Sequence, residues 1–198
     1  MSILGILSSD WRITLFVVLV VLAFLWNGIN RIRWELAWNA SGHRGMPIPE
    51  TRWTYNAQDI EEFAETAARA GLLDGYVKEI LRRSDICFAI ALAAITAFLW
   101  YLIAVTPMDW VFLNWVALPL GAMAVLYGIA DVAEDIKLAA ILGHGHAIDS
   151  AEVAATNMLT RLKMATLTLS VIGVAIFLVI RVLQALAVRM QGGRPIPA

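Results

Sequence analysis

The chain predicts an all-α fold, an integral membrane four-helix bundle, and three observations carry that prediction. Four apolar runs without a single charge occupy residues 13–26, 86–106, 111–130 and 164–180. Completed by their flanks, each reaches the roughly 20 helical residues that cross a hydrocarbon core of about 30 Å. The charged residues gather between the runs and at their edges, as they must when an ion at mid-bilayer costs several kcal/mol. Composition agrees: 60% of the 198 residues are hydrophobic and 16% charged, with mean hydropathy +0.72, values far from those of ordinary soluble domains. A net charge of −1 offers no basic field for nucleic acid.

The spans are expected at about 11–29, 86–106, 110–131 and 163–183, in a single membrane domain. A cytoplasmic insertion covers 30–84 and a cytoplasmic helical hairpin covers 131–163. The first run ends in Trp26-Asn27-Gly28-Ile29-Asn30-Arg31 and not in a small-x-small cleavage site, so it reads as a retained helix. Four spans put both termini on one side. The first and third loops carry eleven of the fifteen Lys and Arg residues, against four on the opposite side. The positive-inside bias therefore places both long loops in the cytoplasm and both termini outside.

The first loop holds Trp34, Trp38 and Trp53, expected either to dock on the membrane or a partner, or to pack on the protein's own helices. Residues 41–54, with Gly42, Gly45, Pro47 and Pro49, read as an irregular connector. A helix then begins at the N-cap Asn56, with Ile60, Phe63, Ala67 and Ala70 at helical spacing, and stops at Gly71. A second amphipathic stretch follows with Leu73, Tyr76, Val77 and Ile80. Both are expected to lie along the interface. Spans two and three form a hairpin turning at Pro107-Met108-Asp109, and their Ala89, Ala93, Ala97, Ala117, Gly121, Ala124 and Gly128 suit close helix packing. Pro119 is placed to kink the third span. The third and fourth helices outrun the membrane as a hairpin tipped by Gly143-His144-Gly145-His146, its second arm starting at Ser150 behind Asp149.

One polar constellation stands out. Asp85 opens the second span, Asp131, Glu134 and Asp135 close the third, and Arg161 and Lys163 open the fourth. Alternating helix directions bring all six to one boundary, with Asp131 opposite Arg161 and Lys163 a short step away. Such charges either neutralise one another to set the register of three helices, or line a polar pocket for an ion, a lipid headgroup or a proton. His144 and His146 are the weak candidates for a metal, since His-x-His in a glycine-rich turn is no defined ligand spacing.

Cys87, the one cysteine, belongs to no metal or disulfide pattern. The spans contain no histidine, so no haem or pigment has its usual axial ligand within the bilayer, and no cofactor is expected. No Gly-x-Ser-x-Gly elbow, His-Glu-x-x-His or glycine-rich phosphate loop appears, which leans the reading away from an enzyme.

From Tyr55 to the end of the fourth span the chain resembles a family of small uncharacterised bacterial four-span membrane proteins. The resemblance rests on Tyr76 and Asp85, on Ala130-Asp131-Val132-Ala133-Glu134-Asp135, and on Thr160-Arg161-Leu162-Lys163. The family pattern is Asp-x-x-Glu-Asn with Thr-x-x-Lys, and this chain carries Asp135 in place of the asparagine. The resemblance implies a fold and a bacterial inner membrane, and brings no activity.

Three functions follow as expectations. One is a non-catalytic accessory or assembly subunit of a larger membrane complex, with a protein partner or self-association in the bilayer. Another is a boundary protein that binds lipid or ions, or acts as an enzyme, through the Asp/Glu/Lys cluster. The last is an oligomeric channel or transporter, for which Thr96, Asn114 and Thr168 supply no evident ion path.

Overall fold

The computed structural model describes residues 11–43, 48–49, 52–105, 111–143 and 148–192. The turn at 107–109 and the tip histidines His144 and His146 lie outside the described residues. Among those described, the chain is helical throughout, with no strand. The helices are α1 (Trp11–Ala40), α2 (Ala57–Arg69), α3 (Leu73–Val105), α4 (Val111–Gly143) and α5 (Ser150–Gly192). Four of them, α1, α3, α4 and α5, are long and apolar enough to cross a membrane.

All four outrun the bilayer. At 1.5 Å per residue the 33 residues of α3 reach about 50 Å, against a core of about 30 Å. At one end of the bundle the excess builds a second hydrophobic core. Trp34 and Trp38 from α1, Ile60, Phe63 and Ala67 from α2, Tyr76, Val77, Ile80 and Leu81 from α3, Leu138 and Leu142 from α4 and Val153 from α5 belong to that cluster. The molecule is thus a membrane bundle with a helical cap.

The cap decides one open alternative and corrects one expectation. Trp34 and Trp38 do not face a partner: they are 8% and 4% exposed and stack with ring centroids 5.0 Å apart. Phe63, Tyr76 and His43 pack around them. Trp53 alone of the three is exposed, at 59%. Nor do the amphipathic stretches form two helices spread on a membrane. α2 turns Ile60, Phe63 and Ala67 into the cap, and the second stretch is the first part of α3, continuous with the span. Burying about 200 Å² per aromatic ring against neighbours already in place outweighs contact with headgroups. The helix of the first span also continues to Ala40, past the expected boundary at 29.

Local signals explain where α2 sits. Asn56 accepts from the Asp59 N–H at 3.0 Å, and Asp59 accepts from the Asn56 N–H at 2.9 Å, a reciprocal capping box. At the other end Gly71 adopts φ +70°, and the Leu72 N–H reaches the Ala67 carbonyl at 2.9 Å. That left-handed turn, free for glycine, closes the helix and sends the chain directly into α3.

Residues Tyr76–Asp85 of α3 wind as a π-helix. Their buried positions are Tyr76 with Val77, Ile80 with Leu81 and Ser84 with Asp85, pairs that recur every four residues. The period is wider than the 3.6 of an α-helix, in the direction that i→i+5 bonding takes it.

Within the membrane, α3 and α4 meet through small residues. A methyl group on Gly128 would stand 2.6 Å from Ala93 Cβ, and one on Gly121 3.2 Å from Trp100 Cβ. Ala89, Ala117 and Ala124 are buried in the same layer, and α4 runs through Pro119 as one helix. α1 packs on α3 by Phe16 on Phe98 and Phe24 on Phe88, and makes no comparable contact with α4 or α5.

Candidate functional site

Between the membrane core and the cap core lies a layer of buried charge. On α4, Tyr127, Asp131 and Glu134 stand at i, i+4 and i+7 and share one face. On α5, Thr160 and Lys163 stand three residues apart and face them. The two helices are antiparallel, so Asp131 meets Lys163 and Glu134 meets both Lys163 and Thr160.

The contacts form a continuous chain. The Lys163 Nζ donates to Asp131 Oδ1 at 2.8 Å and lies 2.5 Å from Glu134 Oε2. The other Asp131 oxygen accepts from the Tyr127 hydroxyl at 2.6 Å. The other Glu134 oxygen accepts from Thr160 Oγ1 at 2.6 Å and from the Tyr55 hydroxyl at 3.3 Å. Hydrogen bonds to ionised groups contribute about 1.5–3 kcal/mol each, and Lys163 is the shared counter-charge of the two carboxylates. Tyr55 comes from the connector before α2. Its N–H donates to Asn157 Oδ1 at 3.3 Å, which ties the cap to α5. Burial, and next to it the negative charge of Glu134, push the Tyr55 phenol well above its ordinary range.

Asp85 is reached from the other side. The Arg31 guanidinium on α1 donates to both its oxygens, at 3.3 and 2.9 Å, the fork geometry that suits a carboxylate. Asp85 and Arg31, with Tyr127, Asp131, Asp135 and Lys163, line a cavity of about 160 Å³ whose apolar part is Phe88, Met164 and Leu167. All four membrane helices contribute to its wall.

The structure therefore brings together Asp85, Asp131, Glu134, Asp135 and Lys163, and leaves out Arg161. That side chain is exposed and its Nη2 reaches Thr54 Oγ1 at 3.5 Å. The reason is angular: Arg161 and Lys163 are two positions apart, about 200° around a helix, so only one can face α4. No group of three or more His, Cys, Asp or Glu side chains among the described residues is placed to hold a metal ion.

Arg31, Tyr55 and Tyr127 were not singled out from the sequence for this site. Nor was the inner face of α5, where Thr156, Thr160, Lys163, Thr166 and Ser170 are all buried at spacings of three and four. That spacing was the available signal. Deeper in the membrane it supplies a second polar crossing, where Trp100 Nε1 donates to Ser170 Oγ at 2.9 Å and Ser170 Oγ to the Leu120 carbonyl at 3.2 Å. Thr96 is buried, whereas Thr168 is exposed.

The geometry defines a polytopic membrane protein with a charged cavity where its bundle meets its cap. No known protein family, curated protein or solved structure matches this chain.

Proposed function

We propose that this is a membrane-boundary binding protein, which holds a small polar ligand in the cavity walled by Arg31, Asp85, Asp131, Asp135 and Lys163. One observation carries the reading: all four spanning helices converge on the cavity, and two cationic side chains there stand among four carboxylates once Glu134 is counted. Charge placed at this depth is costly, and here it lines a cavity instead of a closed seam. The eleven-to-four excess of basic residues supports placing the cap in the cytoplasm, and the resemblance supports a bacterial inner membrane.

The test is a thermal-shift series on the purified protein with lipid headgroups and monovalent and divalent cations. A ligand at about 100 times its Kd adds about 2.7 kcal/mol, worth roughly 5–10 °C in a chain of this size. Leu167→Phe, which fills the cavity without touching a charge, should remove the shift. If no compound stabilises the native protein, the cavity has no ligand role.

A second reading, an accessory subunit, draws on α1. Its side chains from Leu15 to Leu36 remain largely exposed, Ile32 and Leu36 among them, although these two lie toward the cap. Mild-detergent extraction at native expression would recover a stoichiometric partner if α1 is a docking helix. A lone protein would count against it.

A further inference from the structure

We infer that the neck of the molecule, where the spanning helices enter the cap, is a binding surface for anionic phospholipid headgroups. The conclusion is independent of the cavity inside the bundle. The first argument is one of height. Leu36 on α1, Ile136 on α4 and Met158 on α5 are 64%, 54% and 74% exposed. Each stands five positions outward of the charged-layer residue on its own helix, Arg31, Asp131 or Lys163, which is about 7.5 Å along the axis. Val111 to Asp131 and Lys163 to Leu183 are each 20 positions, about 30 Å of helix, which sets the charged layer at the edge of the hydrocarbon core. The headgroup layer beyond it is about 5–7 Å deep. Three separate helices therefore keep large apolar side chains exposed through that layer.

On α5 this band is continuous with the span. Met158 and Leu162 carry outward the exposed stripe of Leu169, Ile172 and Ile176, at spacings of three, four and seven that hold one helix face. The bilayer that covers the lower part of this face therefore reaches its upper part.

The second argument is charge. Within six positions outward of Arg31, Asp85, Asp131 and Lys163, the exposed charges on the spanning helices are Arg33, Arg82, Arg83, Lys137 and Arg161 against Glu35 and Glu79. Among the described residues, only Arg83 of these five cations meets a carboxylate, Glu79 at 3.0 Å. α2, which belongs to the cap alone, reverses the sign, with Glu61, Glu62 and Glu65 exposed against Arg69. The positive excess thus forms a collar at headgroup height, where each basic side chain beside an anionic leaflet adds about a fivefold preference. Arg33 with Leu36, and Met158 with Arg161, stand three apart on their helices and are surface neighbours. Each such pair offers a cation to a lipid phosphate and an apolar side chain to the acyl chain below it.

The experiment uses the full-length protein, delipidated in detergent, with phosphatidylglycerol and phosphatidylcholine as probes and native mass spectrometry to read retained lipid. The expected result is at least about fivefold greater retention of phosphatidylglycerol. Combining Arg33→Gln, Lys137→Gln and Arg161→Gln should bring the preference to near unity. Arg161→Gln alone should remove part of it, and Arg69→Gln on α2 none. Leu167→Phe, which fills the cavity, should also leave it unchanged, so the collar and the cavity reading fail separately. With the native protein, about tenfold more ammonium acetate shortens the Debye length about threefold and should cut the preference. That measurement decides the matter if the triple variant does not fold. Depth is read in vesicles of the two lipids by a nitroxide at Met158→Cys in a Cys87→Ala background. It should be shielded from a water-soluble relaxant, whereas a nitroxide at Glu62→Cys should be open to it. Four results would each overturn the inference: equal retention of the two lipids; a preference that survives the triple variant or high salt; a preference lost in Leu167→Phe; or a nitroxide at Met158→Cys as open to water as one at Glu62→Cys.

Discussion

Replacing Lys163 with methionine gives a direct measure of how the buried layer is held. The ammonium lies 2.8 Å from Asp131 and 2.5 Å from Glu134, and all three side chains are buried. Lys163→Met keeps the stem and removes the charge, which leaves two carboxylates without their shared cation. Breaking a buried pair from one side costs about 3–5 kcal/mol, a large part of the 5–15 kcal/mol typical of a folded domain. The exposed pair of Lys78 with Asp74, four residues apart and 2.8 Å long, is the control: Lys78→Met should cost about 0.3–0.5 kcal/mol. Unfolding in mixed micelles titrated with dodecyl sulfate, followed by the summed fluorescence of the eight tryptophans, reads both. The triple change Lys163→Met, Asp131→Asn and Glu134→Gln should recover most of the loss, because no uncompensated charge remains. A Lys163→Met variant as stable as Lys78→Met would refute the reasoning, since it would mean that the layer is hydrated and its charges screened.

Other expectations follow from the same contacts. Gly128→Leu forces a side chain into Ala93 and should cost at least the 1–3 kcal/mol of an overpacked interface, read as a lower midpoint in the same titration. Trp38→Ala should lose about 3–5 kcal/mol of cap stability, and Trp53→Ala, at an exposed ring, less than about 0.5 kcal/mol. Phenolate absorbance against pH tests Tyr55. Its folded form holds the proton past the ordinary value near 10 while the unfolded chain releases it, so stability should fall as pH rises above about 10. Tyr55→Phe should lack that part of the alkaline loss.

Much of the architecture was legible because lipid imposes coarse rules. Runs of 14 to 21 uncharged residues leave little choice but helices, and alternating directions then bring Asp85, Asp131, Glu134 and Lys163 to one level. The spacing of Asp131 to Glu134 and of Thr160 to Lys163 also carries their faces, although the sequence alone left Arg161 and Lys163 competing for Asp131. What could not be read was long-range and aromatic. Nothing near Arg31 announces a partner 54 residues on. Tyr55 lies in a connector, whose path no periodicity describes. Trp34 and Trp38 looked like docking residues because a tryptophan-rich loop is ambiguous until the helix that covers it is known. That helix, α2, was itself expected to cover the membrane instead. Thr156, Thr166 and Ser170 of α5 were passed over because single hydroxyls hardly alter the hydropathy of a span.

The π-helical stretch of α3 makes the number of residues between two contacts a structural quantity. Tyr76 packs on Trp34 at 5.0 Å and Asp85 binds Arg31, so both face α1 although they stand nine positions apart. Nine residues make about two and a half turns of an α-helix, which would set them on opposite sides. They make about two turns at the roughly 4.4 residues per turn that i→i+5 bonding gives, which sets them on the same side. Substitutions along the exposed positions Lys78, Glu79, Arg82 and Arg83 leave that alignment alone, whereas loss or gain of one residue rotates Asp85 away from Arg31 or Tyr76 away from Trp34. Across evolution, this stretch should drift in composition while keeping its length, and an insertion or deletion here should survive only with a compensating change in α1.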